Sequence, residues 1–453
     1  MRFQDAEGAM PDPLPTGLPS MTLAEAGRMV RAGETSFAEL TRLCLDRAAE
    51  TSGLNAFERV FETEAMVAAG AQDALLGAGY DLGPLQGIAI ALKSNIAIRG
   101  VALTAGSRLL ADRIAIRDAE VTRRLRRAGA VILGTTNMHE FAWGGTTANP
   151  HYGQARNARD PERIPAGSSG GSGAAVASGA VFAALGTDTG GSVRLPAGMN
   201  GITGLRPGIG RLPVDGIFPL AWSLDTVGPM ARNGRDAAAL LAAMLDQPFL
   251  PSARRDWRGL RIGVPRGYVF ERIEEGVGAA FSRWLDAVRA AGAEPVDIEI
   301  DALERAVDAL VIVDAAEPTA VHDGWLDISP ELYGKDVLNQ LLAGRAITAT
   351  EYLHAQRFRT VFRETVLALL AQVDVIATPT IPFVAPLIGQ TEVILSGRPE
   401  SALTANMRFT AIASCSGLPA VSFPCPGGAG GLPVGIQLIG RDGSEAGLLA
   451  LAD

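Results

Sequence analysis

Two glycine-serine turns bracket one short apolar segment, and this arrangement constrains the fold more than any other feature of the 453-residue chain. The first turn reads Pro165-Ala166-Gly167-Ser168-Ser169-Gly170-Gly171-Ser172-Gly173; the second reads Gly186-Thr187-Asp188-Thr189-Gly190-Gly191-Ser192-Val193-Arg194. Between them, Ala174 to Gly186 is apolar but far shorter than the roughly 20 residues that span a bilayer. It reads as a helix and a strand buried in a soluble core, and its small side chains allow backbone to pack on backbone. Glycines beside a serine let the chain bend tightly and bring N–H groups close to a ligand, which a serine nucleophile with an oxyanion hole requires. Two such turns imply two serines with different tasks.

The surrounding pattern is that of an α/β protein. Thr22-x-x-Glu25 and Ser36-x-x-Glu39 read as capping boxes, so helices open the fold. From Gly83 onward short Ile/Val/Leu runs alternate with amphipathic stretches, for example Ala119 to Ala128 leading into Val131-Ile132-Leu133. Lys93 closes the run Ile90-Ala91-Leu92 and falls at a strand end, where ligands of such sheets tend to sit. The proline- and charge-rich stretch from Asp246 to Arg258 is the best internal boundary, with a new strand beginning at Arg261. Beyond it, Val277 to Ala291 and Thr350 to Leu370 read as long amphipathic helices that cover the core and shape the entrance. The expected organisation is an arm over residues 1–20, flexible or loosely docked, then a single domain over 21–453. Its signature core covers about 80–245 and its peripheral helical insertion about 259–370.

The two turns, with a lysine segment upstream, resemble the amidase signature family, whose members hydrolyse amides with a Ser-Ser-Lys triad. In that family the two serines lie 24 residues apart, as Ser168 and Ser192 do here (192 − 168 = 24). The lysine segment is Gly87-Ile88-Ala89-Ile90-Ala91-Leu92-Lys93-Ser94-Asn95, and the likeness continues through Gly134 to Ala142, Gly201 to Pro207, Ser223 to Pro229, Thr378-Pro379-Thr380 and Gly417 to Ala420. The resemblance covers nearly the whole chain and implies a large mixed central β-sheet surrounded by helices.

It also implies roles. Ser192 is the expected nucleophile, Ser168 the proton relay and Lys93 the base, acting when desolvation lowers its pKa from about 10.4 toward neutrality. The backbone N–H groups of Thr189, Gly190, Gly191 and Ser192 are the expected oxyanion hole, and a cis peptide is implied at Gly167-Ser168. Ser169, Asp188 and Arg194 are expected to brace the turns. Gly167-Ser168-Ser169-Gly170-Gly171 also fits a G-x-S-x-G nucleophile elbow with Ser169 as nucleophile. That alternative needs a histidine base, and none of His139, His151, His322 and His354 stands in the C-terminal position such a fold uses. Neither turn has the Gly-Lys-Ser/Thr ending of a P-loop.

Within the family, glutaminase subunits of tRNA-dependent amidotransferases tend to carry an arginine pair that fixes the glutamine carboxylate. Here the corresponding segment is Val337-Leu338-Asn339-Gln340-Leu341-Leu342. Phe141, Trp143, Ile217 and Phe218 are the expected pocket residues, which suit an aryl or alkyl amide, or a carbamate of the urethane type. The alternatives are such a glutaminase subunit, or a non-catalytic partner subunit of the same assembly.

The net charge is 40 − 49 = −9 without a basic stripe, which argues against nucleic acid and anionic membrane as partners. Cys44, Cys415 and Cys425 have no metal-ligand spacing, so neither disulfide nor metal is expected, and no cofactor. The first twenty residues lack the apolar core of a secretory signal. A cytoplasmic monomer or homodimer acting on a small amide or carbamate is the expectation.

Overall fold

The computed structural model describes residues 20–247 and 256–453. The expected N-terminal arm therefore lies outside the described residues except at Ser20, as does most of the expected boundary between Asp246 and Arg258. Both capping boxes form: the Thr22 and Ser36 side chains accept hydrogen bonds from the backbone N–H groups of Glu25 and Glu39, opening helices Leu23–Arg31 and Phe37–Glu50. A third box, Thr348 with Glu351, opens the helix Ala349–Leu370.

Eleven strands form one sheet. In chain order they are β1 (Phe57–Val60), β2 (Ala89–Lys93), β3 (Val131–Thr136), β4 (Ala183–Asp188), β5 (Thr203–Arg206), β6 (Thr226–Ala231), β7 (Arg261–Pro265), β8 (Glu294–Ile298), β9 (Val375–Pro379), β10 (Ala420–Pro424) and β11 (Gly435–Ile439). Across the sheet they run β1-β3-β2-β4-β6-β5-β10-β11-β9-β7-β8. The sheet is mixed: β2 pairs parallel with β3 and β4, β6 runs antiparallel to β4, and β7 pairs parallel with β8 and β9. Strands β2, β3, β4 and β6 are buried along their whole length, which explains why they read as continuous apolar runs rather than alternating ones.

The apolar segment between the two serine turns resolves into the helix Gly170–Ala177, wholly buried, and strand β4. Only side chains this small let a helix lie so deep against the sheet. A Cβ at Gly171 would come within 2.3 Å of the Asn137 carbonyl oxygen, far inside normal contact. The stretch 259–370 contributes helices and also two strands, β7 and β8, at one end of the sheet. Among its helices, Glu304–Leu326 packs against both Lys335–Gly344 and Ala349–Leu370. Among the described residues no helix is long and apolar enough to cross a membrane.

Candidate active site

Strand β2 ends at Lys93, which is fully buried. Its Nζ lies 2.7 Å from Ser168 Oγ and 2.8 Å from Thr187 Oγ1, and Asn95 Nδ2 donates to the same threonine oxygen at 3.2 Å. Parallel pairing of β2 with β4 brings this about, since it sets the lysine beside the strand that leads into the second glycine turn. Burial drives the Lys93 pKa down to about 7, although the negative charges of Asp225 and Asp188 pull it upward. The amine is therefore poised to gain and lose a proton near neutral pH.

The first turn holds Ser168 by its backbone as well as its side chain: the His139 N–H donates to the Ser168 carbonyl, and the Gly167–Ser168 peptide is cis. Ser169 faces elsewhere. Its hydroxyl donates to the Thr187 carbonyl at 3.2 Å and its N–H donates to the Ser192 carbonyl at 3.3 Å, so it ties the two turns together.

In the second turn, Gly191 has φ +139°, and a Cβ there would meet Thr410 Oγ1 at 2.7 Å. An L side chain would be strained by backbone and space alike. The N–H groups of Thr189, Gly190, Gly191 and Ser192 donate to no acceptor among the described residues. The next two N–H groups, of Val193 and Arg194, point at Asp188 Oδ2. Ser192 is part-buried and is the last residue in this run of free donors.

Asp188 lies wholly buried between two guanidiniums, 2.9 Å from Arg194 and 3.0 Å from Arg206. Burial would raise its pKa, but those two positive charges outweigh the penalty and hold the carboxyl well below the usual carboxylate range. Arg194 reaches on to Ser414 Oγ, Gln437 Oε1 and the Thr410 carbonyl, which locks the turn against the far half of the sheet. Asp225 accepts from the Thr189 hydroxyl at 2.6 Å and the Leu220 N–H at 2.9 Å; burial pushes its pKa up to about 6.

Ser192 opens onto a cleft of about 280 Å³ lined by Trp143, Gly144, Gly145, Gly167, Gly190, Leu195, Leu220, Asp314, Gln340, Asn406 and Met407 among others. The expected pocket residues divide. Trp143 lines this cleft. Ile217 and Phe218 instead line a smaller cavity of about 40 Å³ shared with Asn95, Thr187 and Asp225. Phe141 lines neither: it is buried in an aromatic cluster, 4.3 Å from the His322 ring and 5.4 Å from Phe218 by centroid. Its backbone is left-handed, φ +51°, and an aromatic ring gains more from burial in such a cluster than from lining a wetted wall. Gln340 reaches the cleft, whereas Asn339 lies on a separate groove with Lys335 and Asp336.

The structure adds residues that the sequence did not single out. Thr187 shares the lysine with Ser168, and Arg206 and Asp225 brace the second turn. The last two stand inside the quoted stretches Gly201 to Pro207 and Ser223 to Pro229, so the signal was present without a role attached. Asp314 carried no signal, being one acid in the apolar run Val311-Ile312-Val313-Asp314-Ala315-Ala316. Among the described residues no group of three or more His, Cys, Asp or Glu could hold a metal ion, and the three cysteines are buried free thiols.

Comparison with known proteins bears on the same residues. The profile of the family described as Amidase matches residues 39–449. The chain is 38% identical, over 474 aligned positions covering 95% of it and 96% of the relative, to the A subunit of glutamyl-tRNA(Gln) amidotransferase from Azoarcus sp. strain BH72. It is equally 38% identical to an amidase of Pseudomonas putida over 426 positions, 90% of each protein. A crystal structure of an amidase superposes with a TM-score of 0.90 at 35% identity, covering 95% of this chain and 98% of that one. With the profile spanning residues 39–449, from the second helix to the last, and with relative and solved structure each covering 95% of it, the chain belongs to the amidase signature family.

Proposed function

We propose that this chain cleaves the amide bond of a small substrate through an acyl-enzyme on Ser192, with Ser168 as proton relay and Lys93 as base. Family membership makes amide hydrolysis its chemistry; the residue roles are the reading proposed here. The observation that carries them is a buried lysine with its pKa near 7, 2.7 Å from Ser168, together with a cleft lined by Ser192 and Gly190, whose N–H groups are free of any acceptor among the described residues.

In the first step Ser192 Oγ attacks the amide carbon. Its proton passes to Ser168 as the Ser168 proton passes to neutral Lys93. The oxyanion forms opposite the N–H groups of Thr189 to Ser192, donors whose individual loss generally costs about 10²- to 10³-fold in rate. As the intermediate collapses, the Lys93 ammonium returns the proton through Ser168 to the departing amine. Water then attacks the Ser192 ester by the same relay and releases the acid. A carbamate passes through the same kind of intermediate, so urethanase activity belongs to this reading.

The amidotransferase relatives favour a second reading, the glutaminase of a tRNA-dependent amidotransferase. The described residues lining the cleft include no Arg, Lys or His to fix a free carboxylate. That supports a stand-alone amidase.

Labelling by a fluorophosphonate probe tests the roles. A single adduct on the wild type, lost in Ser192→Ala and retained in Ser169→Ala, is expected. Persistence of the adduct in Ser192→Ala with its loss in Ser169→Ala would move the nucleophile to the elbow position.

A further inference from the structure

Asp314 shares the cleft with Ser192. It projects from the helix Glu304–Leu326, and its Oδ1 is out of solvent without a hydrogen-bond partner. Its two acidic neighbours are satisfied. Asp225 accepts from Thr189 and Leu220, and Glu317 accepts from the Ser223 N–H at 2.9 Å and the Tyr352 hydroxyl at 2.7 Å. A buried polar atom left without a partner costs free energy, and more so when charged. Beyond a hydrogen bond from the Trp143 side chain to the carboxyl, nothing among the described residues offsets that cost, and the described lining contributes no cationic side chain.

We propose that Asp314 is a specificity-determining residue, which pairs with a cationic nitrogen on the part of the substrate held in the cleft. The substrate class is then an amide whose buried end carries an ammonium or amidinium group, flanked by apolar atoms against Trp143, Leu220 and Val311. This rests on the cleft being where the amide binds, as proposed above. Burial raises the Asp314 pKa well above the usual carboxylate range and the charge of Asp225 adds to it; a hydrogen bond from the Trp143 side chain lowers it by less, and the charge of Glu317 is the smallest contribution, again upward. The surroundings thus disfavour the carboxylate until a cation arrives, and a bound ammonium supplies the missing partner as a charge-assisted hydrogen bond.

Binding to a Ser192→Ala background, which cannot form the acyl-enzyme, tests this without depending on catalysis. The probes are 4-(aminomethyl)benzamide and 4-ethylbenzamide, nearly equal in shape and different in charge. By calorimetry at pH 7.5 the ammonium ligand should bind about tenfold tighter or more, a difference of about 1.4 kcal/mol. Adding Asp314→Asn should bring the two ligands together, and Asp314→Leu should reverse their order while melting no lower than the parent, since it removes a carboxyl whose buried Oδ1 has no hydrogen-bond partner. The proposal is overturned if the ammonium ligand binds no better than the ethyl one, or if both Asp314 variants leave the ratio unchanged. Failure of Ser192 to take the fluorophosphonate label would count against the catalytic roles alone.

Discussion

Lys93 is the residue at which stability and chemistry conflict. Its folded pKa is lowered from 10.5 to about 7, chiefly by burial. Below about pH 7 both the folded and unfolded chains carry the proton, and the folded chain bears the full cost of a buried charge, about 1.4 kcal/mol for every tenfold weakening of proton binding. Between pH 7 and 10.5 only the unfolded chain is protonated, so stability rises with pH across that window. Lys93→Met should accordingly abolish amide hydrolysis yet melt higher than the wild type at pH 7, with the advantage shrinking toward pH 10. Thermal melts of both proteins at a series of pH values check this; a variant less stable at pH 7 would mean that the contacts to Ser168 and Thr187 outweigh the buried charge. In the wild type the amide kcat/KM should fall about tenfold for each pH unit below 7.

At the scale of elements, the second turn is held by one acid between two strands and a helix. Asp188 ends β4, Arg206 ends β5 and Arg194 starts the helix Arg194–Asn200, all fully buried. Asp188→Asn would keep the shape and leave two buried guanidiniums without their counter-charge, a loss of about 3–5 kcal/mol. Because the folded pKa of Asp188 is depressed, its contribution is present above the unfolded value of about 3.9 and is lost as pH falls through the folded one. Denaturant melts should show the variant weaker by that amount at pH 7; equal stability would mean that Arg194 is held by Ser414 and Gln437 alone.

The same elements show what could be read in advance. The helix and strand between the turns, the capping boxes and the position of Lys93 at a strand end all follow from local pattern, and the structure has each of them. Local pattern could not tell which wall a side chain faces. Phe141, Ile217 and Phe218 look alike with Trp143 in sequence, and Phe141, Trp143 and Phe218 share one core cluster with Leu326, Tyr333 and Val337, yet of the four only Trp143 also lines the cleft of Ser192. Asp314 was hidden for the complementary reason: a helix that is apolar around it says nothing of the cavity its carboxyl meets.

For the whole molecule, charge and cleft point the same way. The chain carries a formal charge of −9, and the described residues lining the cleft contribute Asp314 and no cation. Glutamine offers an amide and an ammonium group but also an α-carboxylate, which would enter this field with no partner. 4-Aminobutanamide has the same amide and ammonium at the same spacing and lacks the carboxylate. It should therefore be the better substrate, by about tenfold or more in kcat/KM, the scale of one uncompensated charge interaction. Its kcat/KM should also fall as salt is raised from about 0.01 M to 0.15 M, since screening over roughly 8–30 Å weakens the attraction of a cation to an acidic protein. Measured side by side, glutamine hydrolysed as fast as the decarboxylated analogue would show that some cation does reach its carboxylate and would restore the glutaminase reading; so would a large rate increase on adding the other components of a tRNA-dependent amidotransferase.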